Sequence, residues 1–225
     1  MVGVQGIQEN AEAPCETAKY QARKPSASDL EAAKSACLYR GCTQCGTQQD
    51  VDQAYALALK SSPTSALGKF RLAIHLERGQ GCDRDMIKTK ELLEEAAQSN
   101  ADDVTERLSA YYNLGCLASN GEFGAENKSK MAIEYWQKGA DTGCIMCICK
   151  LGVVCMLNGK IREAIAYLEV AVESPFCPHA GVFNLGQLLL VYGLNVVRGK
   201  TLIMRAAFQG NENAANFMKY QGHIF

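Results

Sequence analysis

The feature that most restricts the fold is a frame of small residues that returns along the chain. "YYNLGCLASNG" (111–121), "ICKLGVVCMLNG" (148–159) and "VFNLGQLLLVYG" (182–193) share a Leu-Gly pair followed six or seven residues later by a second glycine. "FRLAIHLERG" (70–79) and "AKSACLYRG" (33–41) carry the same frame with alanine at the first small position. Each copy is followed by a second signature, a small residue seven positions before another. It is seen in "TKELLEEAAQSN" (89–100), "AIEYWQKGADTG" (132–143), "AIAYLEVAVESP" (164–175) and "GKTLIMRAAFQG" (199–210), and more weakly in "AYALALKSSP" (54–63). Small residues at that spacing share one helix face and let two helices approach closely, while the bulky residues between them fill the gaps. The unit is therefore a helical hairpin, written five times, and the chain is expected to be an all-α solenoid. "NENAANFMKYQG" begins another first helix with no second one, as a capping helix over the last apolar face would.

The Leu-Gly pairs at 115, 152 and 186 are 37 and 34 residues apart, and Ala73 precedes the first by 42. Loops absorb such differences without disturbing helix contacts. The Gly-x-Gly in "ERGQGCDRD" (77–85) could be taken for a phosphate loop. However, the segment before it has helical rather than strand periodicity, and no lysine stands behind it. It reads instead as a hairpin turn, in which Gly79 caps the first helix in a left-handed conformation, Gly81 frees the turn, and Asp83 or Asp85 caps the second helix.

"ALGKFRLAIHLERGQGCDRDMIKTKELLEEAAQSN" resembles a Sel1-like repeat, the longer cousin of the tetratricopeptide repeat, with Gly79, Gly81, Cys82, Asp85, Ala96 and Ala97 at matching positions. "GKIREAIAYLEVAVESP", with its shorter loop, resembles a tetratricopeptide unit. The likeness runs over roughly residues 28–222. It implies one α-solenoid domain over 28–225, preceded by a flexible arm over 1–27, in which Gly3, Gly6, Pro14 and Pro25 interrupt any periodicity.

The resemblance also implies a function. Stacked hairpins line an extended surface with their first helices, and such surfaces bind protein segments. The tetratricopeptide frame places Phe70, Ile74 and Glu77 of the second hairpin there, and Tyr112 and Cys116 of the third. From the fourth come Cys149, Val153 and Met156, and from the fifth Phe183, Gln187 and Leu190. A groove of this composition is apolar and suits an amphipathic helix or an apolar extended segment. A clamp for a C-terminal carboxylate would need cationic and amide side chains at these positions. Asn113, Asn184, Lys150 and Arg78 are the candidates, and in the frame they do not fall together.

Composition excludes other classes. Lys+Arg 23 against Asp+Glu 24 gives a net charge of -1, so nothing advertises nucleic acid or an anionic membrane. The longest apolar stretch, "FNLGQLLLVYGLNVV", is broken by Gly186, Gly193 and Asn195, so a soluble protein is expected, without membrane insertion. The first twenty residues show no signal-peptide pattern, and Glu9, Glu12 and Glu16 disfavour a transit peptide, which points to the cytoplasm, with a mitochondrial location as the alternative.

The odd count of eleven cysteines in a chain with ample core material points to reduced thiols. Cys37, Cys42 and Cys45 form one cluster and Cys144, Cys147 and Cys149 another. Neither supplies the four ligands of a zinc site, so both read as small buried hydrophobes and no metal or cofactor is expected. Cys82 and Cys155 read as packing too. The three histidines, His75, His179 and His223, sit in no catalytic constellation, and His75 reads as a partly exposed helix-face residue. The sequence thus points to a non-catalytic adaptor or assembly subunit binding a protein segment in an apolar groove. The alternative is a cysteine-dependent, redox- or metal-linked assembly factor of the mitochondrial Sel1-like class.

Overall fold

The structure is a computed structural model that describes residues 26–42, 46, 48–99, 104–124 and 126–221. Most of the arm expected over 1–27, together with Cys45 and His223, lies outside the described residues. Among those described there are eleven α-helices and no β-strand. The chain divides into two compact units, Met1–Ala96 and Ala97–Phe225.

The first unit contains α1 (Ala27–Arg40), α2 (Val51–Ser61), α3 (Ala66–Arg78) and nearly all of α4 (Met86–Gln98). α1 packs on both α2 and α3, and α2 packs on α3. Small residues permit this. Ala32, Ala33, Ala54 and Ala58 are wholly buried, and a Cβ at Gly68 would stand 2.6 Å from the Ser61 carbonyl carbon. The helix starts are joined as well as capped: Ser65 Oγ accepts from Gly68 N–H (3.1 Å) and donates to Asp29 Oδ1 (2.6 Å). Asp29 N–H in turn donates to Ser26 Oγ in the capping box of α1. α4 meets α3 through Thr89, whose Oγ1 is 3.5 Å from the Ala73 carbonyl, and through a Lys69–Glu95 ion pair at 2.8 Å.

The Gly-x-Gly turn joins α3 to α4. Gly79 adopts φ 64, ψ 39 and donates its N–H to the His75 carbonyl, while Asp85 rather than Asp83 accepts from Lys88 N–H at the start of α4. Gly81, at φ 76, has a packing reason too, since a Cβ there would lie 2.9 Å from Tyr55 Cβ. His75 is not a surface residue. It is 2 % exposed, its Nδ1 donates to the Gln80 carbonyl at 2.9 Å, and the rings of Tyr39 and Tyr55 meet it edge-on at 5.0 and 5.8 Å. Tyr39 also holds the turn by donating to Gln80 Oε1 while accepting from Arg78 Nη1 at 2.8 Å. His75 is buried because its polar edge closes the turn and its ring fills the gap between two tyrosines. Burial pushes its pKa below the usual histidine value.

The second unit contains three hairpins: α5 (Val104–Asn120) with α6 (Lys128–Asp141), α7 (Ile145–Leu157) with α8 (Ile161–Val172), and α9 (His179–Val191) with α10 (Val196–Phe208). α11 (Glu212–Tyr220) packs on α10. Each second helix also packs on the first helix of the next hairpin. The repeated small residues lie at the crossings: Ala132, Ala164, Ala171 and Ala206 are buried, and Gly139 and Gly199 with them. A Cβ at Gly115 would fall 2.2 Å from the indole nitrogen of Trp136, one at Gly152 would meet Leu168 at 2.8 Å, and one at Gly186 would reach the Gly199 carbonyl oxygen at 2.9 Å. Within each hairpin, glycine admits the bulk or the backbone of the second helix to the first.

Candidate functional site

The first helices α3, α5, α7 and α9 superimpose in sequence on their buried small residues, Ala73, Gly115, Gly152 and Gly186, and burial then follows position. Three residues before the small one, Phe70, Cys149 and Phe183 are core side chains, 9 %, 7 % and 9 % exposed, and Tyr112 is half-buried. Phe183 is covered by α11, whose Phe217 ring meets it edge-on at 6.0 Å. One residue after the small one, Ile74, Cys116, Val153 and Gln187 are all half-buried, as are Glu77, Met156 and Leu190 four residues after. The eleven positions assigned from sequence thus separate into a buried row that supports the helices and two rows that reach solvent.

Two further rows were not assigned from sequence. Five residues after the small one, Arg78, Asn120, Leu157 and Val191 are exposed. Two residues before it stand Arg71, Asn113, Lys150 and Asn184, all half-buried. Of the clamp-type residues considered apart in the sequence, Asn113, Lys150 and Asn184 therefore share one frame position on three successive first helices. Arg78 is on a different row, in the other unit. The missed signal was a register: each polar residue stands two places before the frame glycine, a spacing visible once Leu-Gly is used as the origin.

Within the second unit these three helices are neighbours. α7 lies beside α5, where Cys144 Sγ donates to the Leu108 carbonyl at 3.4 Å. α9 lies beside α7, where Cys149 and Phe183 belong to one core cluster. Lys150 is held over aromatic surface, its Nζ 5.8 Å from the ring centres of both Tyr112 and Trp136. The Tyr112 phenol is pushed up to about 12 by burial first and by the neighbouring Cys116 thiol second. At neutral pH it is a neutral donor beside the lysine. The face therefore offers amides that can donate and accept, one cation, and the apolar surface of Val153, Met156 and Leu190.

The cysteines have separate fates. Cys37, Cys144, Cys147, Cys149 and Cys177 are buried, whereas Cys42, Cys82, Cys116 and Cys155 are half-buried. Cys82 and Cys155 are therefore not core residues: the Cys82 thiol points toward the Gln80 carbonyl at 3.9 Å, and Cys155 lies 3.8 Å from Glu163 Oε2. Cys144, at the N-cap of α7, accepts from the Cys147 thiol and from the N–H groups of Cys147 and Met146, which brings it down to about 7. Among the described residues, no three Cys, His, Asp or Glu side chains converge where they could hold a metal ion. No described helix is long and apolar enough to cross a membrane.

Two segments, residues 66–100 and 108–144, match the Sel1 repeat family. Among solved structures, a Sel1 repeat protein from Oxalobacter formigenes is similar with a TM-score of 0.70 at 20 % identity, over 88 % of this chain and 78 % of that one. The protein c5321, a protective antigen of uropathogenic Escherichia coli displaying an SLR fold, is similar with a TM-score of 0.70 at 21 % identity. That likeness covers 86 % of this chain but 42 % of the antigen. A Pseudomonas aeruginosa protein, PA5086, is similar with a TM-score of 0.57 at 17 % identity, over 85 % of this chain and 69 % of that one. No curated protein matches the sequence.

Proposed function

This chain is a Sel1-like repeat protein, and from that premise we propose that it is a non-catalytic adaptor or assembly subunit that binds a segment of a partner protein along its first helices. The Sel1 fold is in general a protein-interaction fold without catalysis. The observation that carries the finer reading is the row Asn113, Lys150 and Asn184 on α5, α7 and α9, flanked by Cys116, Val153, Met156, Gln187 and Leu190. Amides at equal register on α5 and α9, on either side of Lys150 on α7, can pair with the peptide groups of an extended segment, each of which offers one donor and one acceptor. Lys150 favours an acidic side chain or terminal carboxylate in that segment, and the apolar positions supply the buried contact area. The buried side chains of Cys149 and Phe183 support this surface without touching the partner, and in the first unit α3 carries Ile74 and Glu77 above the buried Phe70.

The test is a pull-down with the purified chain followed by mass spectrometry, and then titration of the recovered partner against variants. Lys150→Glu, Val153→Asp and Asn184→Ala are expected to weaken binding about tenfold or more each if they sit at the centre of the interface. Their far-UV circular dichroism should be unchanged. Lys138→Asp on the exposed side of α6 should leave affinity unaltered. Wild-type affinity in all three folded variants places recognition elsewhere and refutes the reading.

A further inference from the structure

Cys149 and Cys177 are 28 residues apart in the sequence and their Sγ atoms are 4.0 Å apart in the fold. Cys149 is in the second turn of α7, and Cys177 lies in the segment that joins α8 to α9. The approach is built by a third residue. Gly181, in the first turn of α9, passes directly over the two sulfurs: a Cβ there would stand 2.8 Å from Cys149 Sγ and 3.1 Å from Cys177 Sγ. The two thiols are thus in van der Waals contact beneath a helix start that only glycine leaves open. Neither the small-residue frame nor the proposed binding face requires this.

We propose that Cys149 and Cys177 are a reactive dithiol, which a low-molecular-weight disulfide such as oxidised glutathione converts into an intramolecular disulfide joining α7 to the start of α9. Cys177 is the entry point. It lies outside any helix, next to Phe176, which is 83 % exposed, so the 174–178 segment can open locally without unfolding a helix. Its thiolate is favoured by the Cys149 thiol first, and then by Arg205 and the Val182 N–H at the head of α9. The Cys177 thiolate attacks one sulfur of the small disulfide, forming a mixed disulfide and releasing one small thiolate. Cys149 then gives up its proton and displaces the second small thiolate. Two protein thiols become one disulfide, and the small disulfide is reduced to two small thiols.

The pair Cys144 and Cys147, in C-x-x-C spacing on the same helix, is the rival within reach. Both are almost wholly enclosed, at 3 % and 0 % exposed, with Cys147 Sγ filling the space over Gly139. Cys144 follows the exposed turn at Thr142 and Gly143, whereas Cys147 is within α7 and against α6, so the peptide map must tell the two pairs apart.

The experiment uses the full chain, reduced and then equilibrated with mixtures of oxidised and reduced glutathione. Remaining thiols are alkylated under denaturing conditions and the peptides mapped. The expected product links the peptide ending at Lys150 through Cys149 to the peptide carrying Cys177, with Cys144 and Cys147 alkylated. A dithiol reductant should reverse it. Cys177→Ser should abolish the linkage, whereas Cys144→Ser should leave it intact. A Cys144–Cys147 disulfide in its place, glutathione retained on Cys177 without closure, or full alkylation of both Cys149 and Cys177 in the wild-type chain would each overturn the proposal. The wild-type map decides the matter even where a variant fails to fold. The outcome is independent of the binding-face reading, which is judged by partner affinity alone.

Discussion

Replacing Gly186 by alanine sets two effects of opposite sign against each other. In a helix interior the change gains about 1 kcal/mol, because alanine restricts the unfolded chain more than glycine does. Against it stands the crossing of α9 and α10. The new Cβ would lie 2.9 Å from the Gly199 carbonyl oxygen, 3.1 Å from Ile203 N and 2.8 Å from Ile203 Cγ1. Two of these three neighbours are backbone, so rotamer change cannot relieve the overlap, and the helices must part by about 0.5 Å to restore ordinary contact. Parting them loosens the reciprocal approach, in which a Cβ at Gly199 would stand 2.9 Å from the Gly186 carbonyl oxygen. Overpacking of this kind costs about 1–3 kcal/mol, leaving a net loss of up to about 2 kcal/mol and a melting temperature lower by up to about 8 °C. Gly186→Leu should lose about 3 kcal/mol or more, since the added carbons enter the same crossing. Gly193→Ala is the control: no atom lies within 4 Å of its Cβ position, and only its φ of 62 is violated, at about 1 kcal/mol. The double variant Gly186→Ala/Gly199→Ala should cost less than the sum of the two singles, because the first alanine has already parted the helices. Urea unfolding followed by far-UV circular dichroism measures all five, the Gly199→Ala single included. Stabilisation of Gly186→Ala by the full propensity gain would refute the close-crossing argument, since it would mean that the Cβ meets nothing.

Three further outcomes are expected. Gly81→Ala should destabilise by about 2 kcal/mol or more in thermal unfolding, since it combines a φ of 76 with a contact of 2.9 Å to Tyr55 Cβ; a loss equal to that of Gly193→Ala would mean that the turn does not pack on α2. In an ultraviolet titration Tyr112 should ionise near 12. Its folded pKa lies above the ordinary 10, so its contribution to stability is complete below pH 10 and is lost as pH rises toward 12; ionisation of all folded tyrosines in one step near 10 would contradict this. His75 has a folded pKa below 6.5, so the unfolded chain takes up its proton first and stability should fall as pH drops below 6.5; NMR of the His75 ring showing a pKa at or above 6.5 in the folded protein would refute its burial as a neutral donor to Gln80.

The helical hairpins were legible because the signal is local and repeated: a glycine with a second small residue on the facing helix specifies a close crossing wherever it recurs, as at Gly115, Gly152 and Gly186. The turn at Gly79–Gly81 was legible for a similar reason, as left-handed φ has few acceptable residues. Which residues of a first helix face solvent was not legible. One helix face meets its own second helix, a second meets the preceding hairpin and a third is free, and all three carry apolar residues, so Phe183 and Met156 look alike in sequence. The tertiary structure separates them, because α11 lays Phe217 against Phe183 and leaves Met156 half-buried. The same holds for His75, whose burial depends on Tyr39 and Tyr55 arriving from two other helices. It holds too for the contact of Cys149 with Cys177, which the sequence leaves 28 residues apart. Periodicity along a chain records which residues share a helix face; what that face meets depends on contacts between distant segments, and these exist only once the hairpins have packed.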